Sequence, residues 1–220
     1  MMARPTTTSM ADLFVLREIF IFETYKDILP LLNKKPVRIL DIGANLGSFT
    51  IWLNKKVGLS EAFCFEPEPD SFRLLSFNLS KNGCDFAKAI PYAAGGHERM
   101  IEISLKQDSP GGTSIYDTAG PSKPENTHAI KVVRLEDWLQ QTPGDFDVFK
   151  MDCEGAEWEI LTQTDPKQFA RFRIFVAEVH ADPDNIFSVS EFKNKIEALG
   201  FRTIRWDEKA HGLYVGVRDV

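Results

Sequence analysis

A glycine-containing stretch at positions 41–50, DIGANLGSFT, has the composition of a ligand-binding turn. It follows an apolar run at 37–40 and leads into residues with helical character. Gly43 and Gly47 permit backbone conformations that let the chain turn tightly and lie close to a ligand. We therefore predict that a strand ends here and that free amides at the start of a helix face a nucleotide-like ligand. An ordinary strand-to-helix turn, with glycines for steric reasons alone, is the structural alternative.

Glu66 is predicted to bind the ribose of that ligand. It ends the second predicted strand, about 20 residues beyond the turn, where nucleotide-binding folds place an acid on the ribose hydroxyls. The alternative is an acid that stabilises the start of the next helix through its dipole. A dinucleotide is disfavoured, because a G-x-G-x-x-G fingerprint that begins at Gly43 needs glycines where Asn45 and Ser48 stand. A mononucleoside with an amino-acid tail fits the turn better.

The segment KMDCEGAE at 150–157 brings three acids to the end of another predicted strand. In a doubly wound sheet this strand lies beside the first one, so Asp152 is predicted to be a general base or a ligand contact. Glu154 and Glu157 are three residues apart, and on the first turn of a helix they would project to one side and bind acceptor hydroxyls. Helix capping by Asp152 and dipole stabilisation by the two glutamates are the structural alternatives.

The sequence EVH at 178–180 ends a further strand, and alternation puts Glu178 and His180 on one side. His180 titrates near neutrality, so it is a second candidate base and a candidate metal ligand, with a structural role as the alternative. Together with Asp152 and Glu154, these side chains could hold Mg²⁺ and lower the pKa of an acceptor hydroxyl. The primary prediction contains no metal, because Mg²⁺ is usually held by few protein ligands and leaves a weak trace in a sequence.

The surrounding pattern predicts the elements that position these residues. Strands buried on both faces alternate with helices, which is typical of a doubly wound α/β sheet. A helix is predicted over residues 10–33, with a candidate break at Pro30, and a long functional or disordered loop over 107–129. We expect one domain over residues 1–220, with a helical extension at 1–34 and an α/β core at 35–220. The predicted strands are 37–42, 62–65, 86–94, 100–105, 130–134, 146–151, 173–179, 201–206 and 213–217, and the predicted helices that follow the first are 49–56, 70–82, 135–141, 154–162 and 191–199.

Composition argues against several classes of protein. The net charge of −6 is unlike that of a general nucleic-acid binder, which usually carries a basic excess. Three widely spaced cysteines show neither a disulfide framework nor metal spacing, which indicates a reducing compartment. The apolar-rich residues 13–32 contain five charged side chains, too many for a helix that spans a membrane. We therefore expect a cytoplasmic protein that acts on a small molecule, without a nucleic-acid or membrane partner.

The chain resembles the FkbM-type methyltransferase family in five segments, in order and with similar spacing. They are DIGANLGSFT at 41–50, FEPEP at 65–69, AAGG at 93–96, KMDCEGAE at 150–157 and EVH at 178–180. The resemblance implies an S-adenosylmethionine-dependent class I methyltransferase, with a Rossmann-like, seven-stranded sheet whose last strand runs antiparallel. It also implies methyl transfer to an acceptor oxygen, commonly a hydroxyl of a sugar or a natural product.

The resemblance further implies which residues bind S-adenosylmethionine. The turn would hold the methionine moiety through Asp41, Gly43, Asn45 and Gly47. Glu66 would hold the ribose, and Ala93 would lie near the adenine. Cys153 departs from the family pattern, which usually has an aliphatic residue there. The full set of implied cofactor-binding residues is Asp41, Gly43, Ala44, Asn45, Gly47, Phe49, Thr50, Glu66, Pro67, Ala93 and Asp152.

The predicted reaction aligns an acceptor hydroxyl with the sulfonium methyl group. Asp152 or His180 would serve as the base, and Glu154 and Glu157 would bind acceptor hydroxyls. The loop at 107–129 is this chain's own and is predicted to shape the acceptor pocket, so the acceptor is not identified. A metal-assisted O-methyltransferase, a nicotinamide dehydrogenase and a non-catalytic cofactor-binding module of the same fold are the alternatives.

Overall fold

The computed structural model describes residues 9–32, 36–104, 127–180, 188–207 and 212–219. Ten strands are present within these ranges. In chain order they are β1 (Val37–Ile42), β2 (Leu59–Phe65), β3 (Ala87–Ile90), β4 (Ala93–Gly95), β5 (Arg99–Ser104), β6 (Thr127–Arg134), β7 (Phe146–Met151), β8 (Phe172–Val179), β9 (Arg202–Trp206) and β10 (Gly212–Val217). Seven of them form one sheet in the order β3-β2-β1-β7-β8-β10-β9.

Strand β1 lies at the centre of this sheet and pairs in parallel with β2 and β7, so that Asp41 lies opposite Cys64 and Lys150. The last strand, β10, runs antiparallel to β8 and β9. The predicted doubly wound sheet with an antiparallel last strand is therefore confirmed. The strand order reverses between β1 and β7, and α/β sheets bind ligands at the carboxyl ends of the strands at such a switch point.

Helices cover both faces of the sheet. Phe175 and Val176 are neighbours on β8 and belong to different buried clusters, one on each face. Burial on both faces explains why the parallel strands are continuous apolar runs in the sequence. No helix within the described ranges is long and apolar enough to cross a bilayer. The helices are α1 (Ser9–Phe20), a 3₁₀ helix (Lys26–Leu31), α2 (Ser48–Val57), α3 (Pro69–Lys81), α4 (Leu135–Gln141), α5 (Glu157–Gln163), α6 (Pro166–Phe169) and α7 (Val189–Ala198).

The predicted strand 86–94 is wrong as a single element. Its first part is β3 in the large sheet, and its last part is β4 in a separate sheet of order β4-β6-β5. Pro91 lies between the two parts and has no amide hydrogen with which to continue a ladder. The extra strand predicted at 100–105 is confirmed as β5, which pairs antiparallel with β6.

The predicted loop 107–129 lies outside the described residues except for its last three. Those three belong to β6, which begins at Thr127 and not at the predicted position 130. The reason is pairing, since Thr127 lies opposite Ser104 and His128 opposite Ile103.

The single helix predicted over 10–33 is also wrong. α1 ends at Phe20, and the chain turns at Glu23, which has a φ of 50°. Pro30, the predicted break, lies inside the 3₁₀ helix. Phe14 of α1 is 64% exposed, whereas Tyr25, beyond the end of α1, is buried. A tertiary contact overrides helical propensity here, because the Tyr25 ring packs edge-on against Phe49 with centroids 5.0 Å apart.

Candidate active site

The turn between β1 and α2 packs against the end of β7. Gly43 has a φ of 74°, and a Cβ at this position would lie 1.6 Å from the peptide oxygen of Asp152. Gly47, which precedes α2, has a φ of 81°, and Asn45 between them has a φ of 48°. Gly43 is therefore required both for its backbone conformation and for the close approach of the next strand end. The predicted tight glycine turn at the end of β1 is confirmed.

The expectation that the amides of this turn are free for a ligand is wrong for four of them. The N–H groups of Gly43 and Ala44 donate to the carbonyl at the end of β2, at 3.1 and 2.9 Å. The N–H of Asn45 donates to the Glu66 carboxylate at 2.8 Å, and the N–H of Gly47 donates to the carbonyl of Ala44 at 2.8 Å. The turn folds back onto the end of β2, so three of these N–H groups donate to Phe65 or Glu66, and the fourth donates within the turn.

Three buried polar atoms of residues 41–50 have no hydrogen-bond partner in the described part of the chain. They are the side-chain oxygens Oδ1 of Asp41, which faces the Lys150 ammonium, Oδ1 of Asn45 and Oγ of Ser48. Most buried polar atoms in proteins have a partner, so an unpaired acceptor in such a turn leaves room for a donor from a water molecule or a ligand group. An amide oxygen accepts hydrogen bonds, and the ammonium group of an amino-acid tail donates them. The turn therefore fits the predicted mononucleoside with an amino-acid tail.

Glu66 lies at the carboxyl end of β2, as predicted, and only 7% of it is exposed. One carboxylate oxygen accepts the amide of Asn45 at 2.8 Å, and the other accepts the amide of Glu68 at 2.9 Å. Burial raises the pKa of Glu66 to about 7, although these two amides act in the opposite direction. Each oxygen retains a further lone pair, so two hydroxyl donors could still bind.

Asp41 stabilises the turn through a buried carboxylate. Its carboxylate is fully buried and accepts the hydroxyl of Thr50 at 2.8 Å, while the Lys150 ammonium lies 3.3 Å away. Lys150 also donates to the carbonyl of Gly43 at 2.7 Å. Burial opposes the charge on Lys150, but the carboxylates of Asp41, Asp152 and nearby Glu178 outweigh it and raise its pKa. The structure gives Asp41 and Thr50 internal partners, and their contact with a cofactor stays a prediction.

Asp152 lies one residue beyond β7, and its side chain is 23% exposed. It does not cap α5, because that helix begins at Glu157. The Asp152 carboxyl group is hydrogen-bonded to that of Glu178 on the neighbouring strand. Asp152 first, and burial second, raise the pKa of Glu178 to about 8. Asp152 and Glu178 therefore bring two interacting carboxyl groups together at the ends of β7 and β8.

His180 lies at the end of β8 between two acids. Its Nδ1 is 3.0 Å from an oxygen of Glu157, and its Nε2 is 3.4 Å from an oxygen of Glu154. The indole N–H of Trp158 donates to its carbonyl at 3.2 Å and holds the backbone. Burial opposes the charged ring, but Glu157 and then Glu154 outweigh it and raise the pKa of His180 to about 9. A ring charged at neutral pH cannot act as a base, so Asp152 is the stronger of the two candidates.

Glu154 and Glu157 both lie against His180. The prediction that they share the first turn of a helix is wrong, because α5 begins at Glu157. Glu154 precedes α5 and has a φ of 55°. Glu157 is fully buried, and it accepts the amides of Cys153 and Gly155, each at 2.8 Å. A carboxylate with these two donors and an imidazole has no exposed face for an acceptor hydroxyl, so the predicted contact does not fit Glu157. Glu154, whose side chain is 32% exposed, retains that possibility.

The remaining predicted cofactor residues lie around the same strand ends. Ala44 is buried in the turn, and Phe49 is buried on α2 against Tyr25. Pro67 follows Glu66 directly, and Ala93 begins β4. The structure gives Phe49 a packing role, and the cofactor contacts of these four residues stay predictions.

Sequence reasoning missed the contribution of the N-terminal segment. Glu18 of α1 lies near Asp152, and burial first, then Asp152, raises its pKa. Buried Tyr25 is close enough to Glu178 and Asp152 for both carboxylates to raise its pKa, in addition to burial. No signal in the sequence reveals this, because Glu18 and Tyr25 are far in the chain from Asp152 and Glu178 and belong to no motif themselves.

The sheet order, its antiparallel last strand and the glycine turn at the switch point define a class I methyltransferase fold. The sequence model of the family described as methyltransferase FkbM domain matches residues 41–203. This chain therefore belongs to the FkbM methyltransferase family, and the resemblance seen in its motifs is confirmed.

Relatives of known name are distant but match most of the chain. Methyltransferase 1 of Beauveria bassiana is 26% identical over 205 residues, which cover 86% of this chain and 80% of that protein. The 2-O-methyltransferase NoeI of Sinorhizobium fredii is 24% identical over 153 residues, which cover 63% of this chain and 62% of NoeI. The crystal structure of an FkbM methyltransferase from Methylobacillus flagellatus superposes with a TM-score of 0.56 at 14% identity, over 81% of this chain and 43% of that one. The structural likeness concerns the fold alone.

Proposed function

We propose that this methyltransferase transfers the methyl group of S-adenosylmethionine to a hydroxyl oxygen of a small molecule, such as a sugar or a natural product. The observation that carries the proposal is the contact between Gly43 and Asp152, whose peptide oxygen occupies the space of a glycine Cβ. The cofactor turn and the acidic strand end are therefore adjacent. An acceptor bound by the acids would lie next to a cofactor bound by the turn, and such proximity supplies much of a rate enhancement.

The cofactor would be held by the orphaned acceptor of the turn and by the acid that ends β2. The unpaired Oδ1 of Asn45 suits the cofactor's ammonium group, and the carboxylate of Glu66 suits its ribose hydroxyls. Gly43 and Gly47 supply the positive φ angles of the turn, and the missing side chain of Gly43 makes room for the peptide oxygen of Asp152. When bound, the cofactor supplies an electrophilic methyl group on a sulfonium ion.

Asp152 would accept the proton of the acceptor hydroxyl. Its carboxylate is partly exposed, and its peptide oxygen lies against the cofactor turn. Lys150 and Glu178 hold its side chain in place from two sides. General-base help of this kind is worth roughly 10²–10⁴-fold in rate. Glu154, at the exposed edge of the cluster, would bind a second hydroxyl of the acceptor.

The relatives support an oxygen acceptor without identifying it. NoeI, which is 24% identical to this chain over 153 residues, is named a 2-O-methyltransferase. An acidic cluster favours a neutral, hydroxylated acceptor, because hydroxyl groups donate hydrogen bonds to carboxylates. The cluster would repel an anionic acceptor unless a cation lay between them.

Calorimetry and a methyl-transfer assay test the proposal. We expect the chain to bind S-adenosylmethionine and its demethylated product, and to transfer radiolabelled methyl groups to members of a panel of hydroxylated sugars. Asp152→Asn should lower turnover by roughly 10²-fold or more, while its affinity for the demethylated cofactor should be unchanged. Glu98→Gln, which alters an exposed acid that pairs with Lys131, is the control and should behave like the parent. Absence of cofactor binding, or full turnover by Asp152→Asn, would refute the proposal.

A further inference from the structure

Three side chains at the ends of β7 and β8 are arranged as a metal-binding set. One carboxylate oxygen of Asp152, one of Glu154 and a ring nitrogen of His180 all lie within 4.8 Å of one another. Ligand distances of about 2.0–2.6 Å allow two ligands of the same ion to be up to about 5 Å apart. The three atoms can therefore reach one cation without a rearrangement of the backbone.

The orientation of the histidine supports this arrangement independently of the three ligands. Nδ1 of His180 is bound to Glu157, which is fully buried and is itself fixed by two backbone amides. Nε2 is therefore the nitrogen that faces Glu154, at 3.4 Å. A histidine that binds a metal commonly donates its other ring N–H to a carboxylate in this way, which fixes the tautomer and the ring plane.

The local charge also favours a cation. Two basic groups, Lys150 and His180, lie among more acids than they can neutralise. The carboxyl groups that act on these two bases are those of Asp41, Asp152, Glu154, Glu157 and Glu178. Even if the proton of Glu178 removes one of these charges, four carboxylates against two bases leave an excess of negative charge, and a divalent ion would offset it.

The three ligands are only partly buried, so the proposed ion would keep positions for other molecules. The exposed side-chain fractions are 23% for Asp152, 32% for Glu154 and 13% for His180. Three protein ligands with open positions are typical of a catalytic site rather than a structural one. Two oxygens and one imidazole suit Mn²⁺ or Mg²⁺ better than a thiolate-preferring metal.

We propose that Asp152, Glu154 and His180 bind a Mn²⁺- or Mg²⁺-type divalent cation, with Glu157 as the positioning residue of the histidine. The ion binds neutral His180, so it displaces the Nε2 proton. The role of the ion rests on the proposed function: the ion would bind the acceptor hydroxyl and lower the pKa of that hydroxyl. The second carboxylate oxygen of Asp152 would take the proton as the O–H bond of the acceptor breaks, and the acceptor oxygen would bond to the cofactor's methyl carbon as the carbon–sulfur bond breaks and the demethylated cofactor leaves.

The test is a Mn²⁺ titration of the full chain after treatment with a chelator, in which electron paramagnetic resonance measures the free ion. We expect one ion per chain, with affinity at least ~10-fold weaker in Glu154→Gln and in His180→Asn. The side-chain amide of asparagine can still donate a hydrogen bond to Glu157 from near the position of Nδ1. It has no atom at the position of Nε2 that could bind the ion. His97→Asn alters a histidine that is 57% exposed, and as the matched control it should bind like the parent.

Binding without one-to-one stoichiometry, or equal affinity in the parent, Glu154→Gln and His180→Asn, would overturn the cation site. Thermal melts of both variants verify that they are folded, and the two residues lie on different segments, so a defect common to both reflects the site. Binding of the demethylated cofactor is measured in the same samples. If the parent does not bind the demethylated cofactor, the proposed function is contradicted. The Mn²⁺ titration still decides whether the cation site exists.

Discussion

The peptide oxygen of Asp152 lies 1.6 Å from the position that a Cβ on Gly43 would occupy. This relationship joins the two halves of the candidate site, because Gly43 belongs to the turn after β1 and Asp152 to the end of β7. The amide of Asp152 also donates to the carbonyl of Ile42 at 3.1 Å. Direct backbone contact therefore limits the spacing between the two strand ends, and the Lys150 side chain, which donates to the carbonyl of Gly43, joins them further.

Gly43→Ala should consequently damage both stability and cofactor binding. The new methyl group meets a backbone oxygen that cannot move without displacing β7, and the residue is strained at a φ of 74°. We expect a loss of at least about 3 kcal/mol in the free energy of unfolding, measured by urea denaturation. Gly83→Ala is the matched control, since its φ is 67° but no atom lies within 4 Å of its Cβ. That variant should lose about 1 kcal/mol, and equal losses in the two variants would contradict the steric explanation.

Glu66 should make cofactor binding dependent on pH. Ribose hydroxyls donate to an ionised carboxylate, and burial raises the pKa of Glu66 to about 7. Affinity for the demethylated cofactor, measured by calorimetry, should therefore fall as the pH decreases from roughly 8 to roughly 6. Glu66→Gln should bind more weakly and with a flatter pH profile. An unchanged profile in that variant would argue against ribose recognition by this carboxylate.

The same group has the opposite effect on the protein without cofactor. Its folded pKa lies above its ordinary value of 4.5 because of burial, so the ionised form is disfavoured in the folded state. Its contribution to stability is therefore complete below about pH 4.5 and is lost as the pH rises through about 7. The stability difference between the parent and Glu66→Gln should follow this curve in urea titrations across that range. A difference that does not change with pH would mean that Glu66 does not titrate there.

Lys150→Met should be strongly destabilising. The ammonium is 4% exposed and compensates the buried Asp41 and the strand-end Asp152. Removing it leaves buried carboxylates without a counter-ion, which typically costs about 3–5 kcal/mol of unfolding free energy. Adding Asp41→Asn to this variant should restore part of the loss, because the deepest of the uncompensated charges disappears. A loss below about 1 kcal/mol in the single variant would contradict this account of the ion pair.

Glu159→Gln tests how the small sheet is fastened to the core. The Glu159 carboxylate accepts both terminal nitrogens of Arg99, at 2.6 and 2.8 Å, and the amide of Gly96 at 2.6 Å. We expect a loss of about 3 kcal/mol or more, together with faster hydrogen exchange in β4 and β5. Glu98→Gln, which breaks an exposed pair with Lys131, should cost less than about 1 kcal/mol. Similar losses in both variants would show that the buried pair has no special role.

The fold could be predicted from the sequence wherever burial leaves a periodic signal. β1, β2, β7 and β8 are apolar runs because both faces of the sheet are covered, and their carboxyl ends therefore locate the site. The break between β3 and β4 was missed, since the apolar pattern continues across Pro91 while the pairing partner changes. The N-terminal break was missed because it depends on the contact between Tyr25 and Phe49, which has no local signature.

The candidate site could be predicted as a set of residues but not as a set of contacts. Motifs identified Glu66, Asp152 and His180 because each follows a parallel strand whose carboxyl end lies at the same edge of the sheet. The partners of the turn amides, the internal use of Asp41 and the approach of Glu18 depend on folding back of the chain over long separations. The late start of α5 follows from the left-handed conformation of Glu154, which spacing alone does not reveal.

Glu157 has a consequence for how this family can vary. One carboxylate accepts two amides of the loop before α5 and also orients the ring of His180. The conformation of the loop and the orientation of the His180 ring therefore depend on the same side chain. A substitution at Glu157 changes both at once, so the effect of any change at His180 should depend on which residue stands at 157. Such epistasis would make the two positions exchange as a pair, or not at all, as the chain diverges.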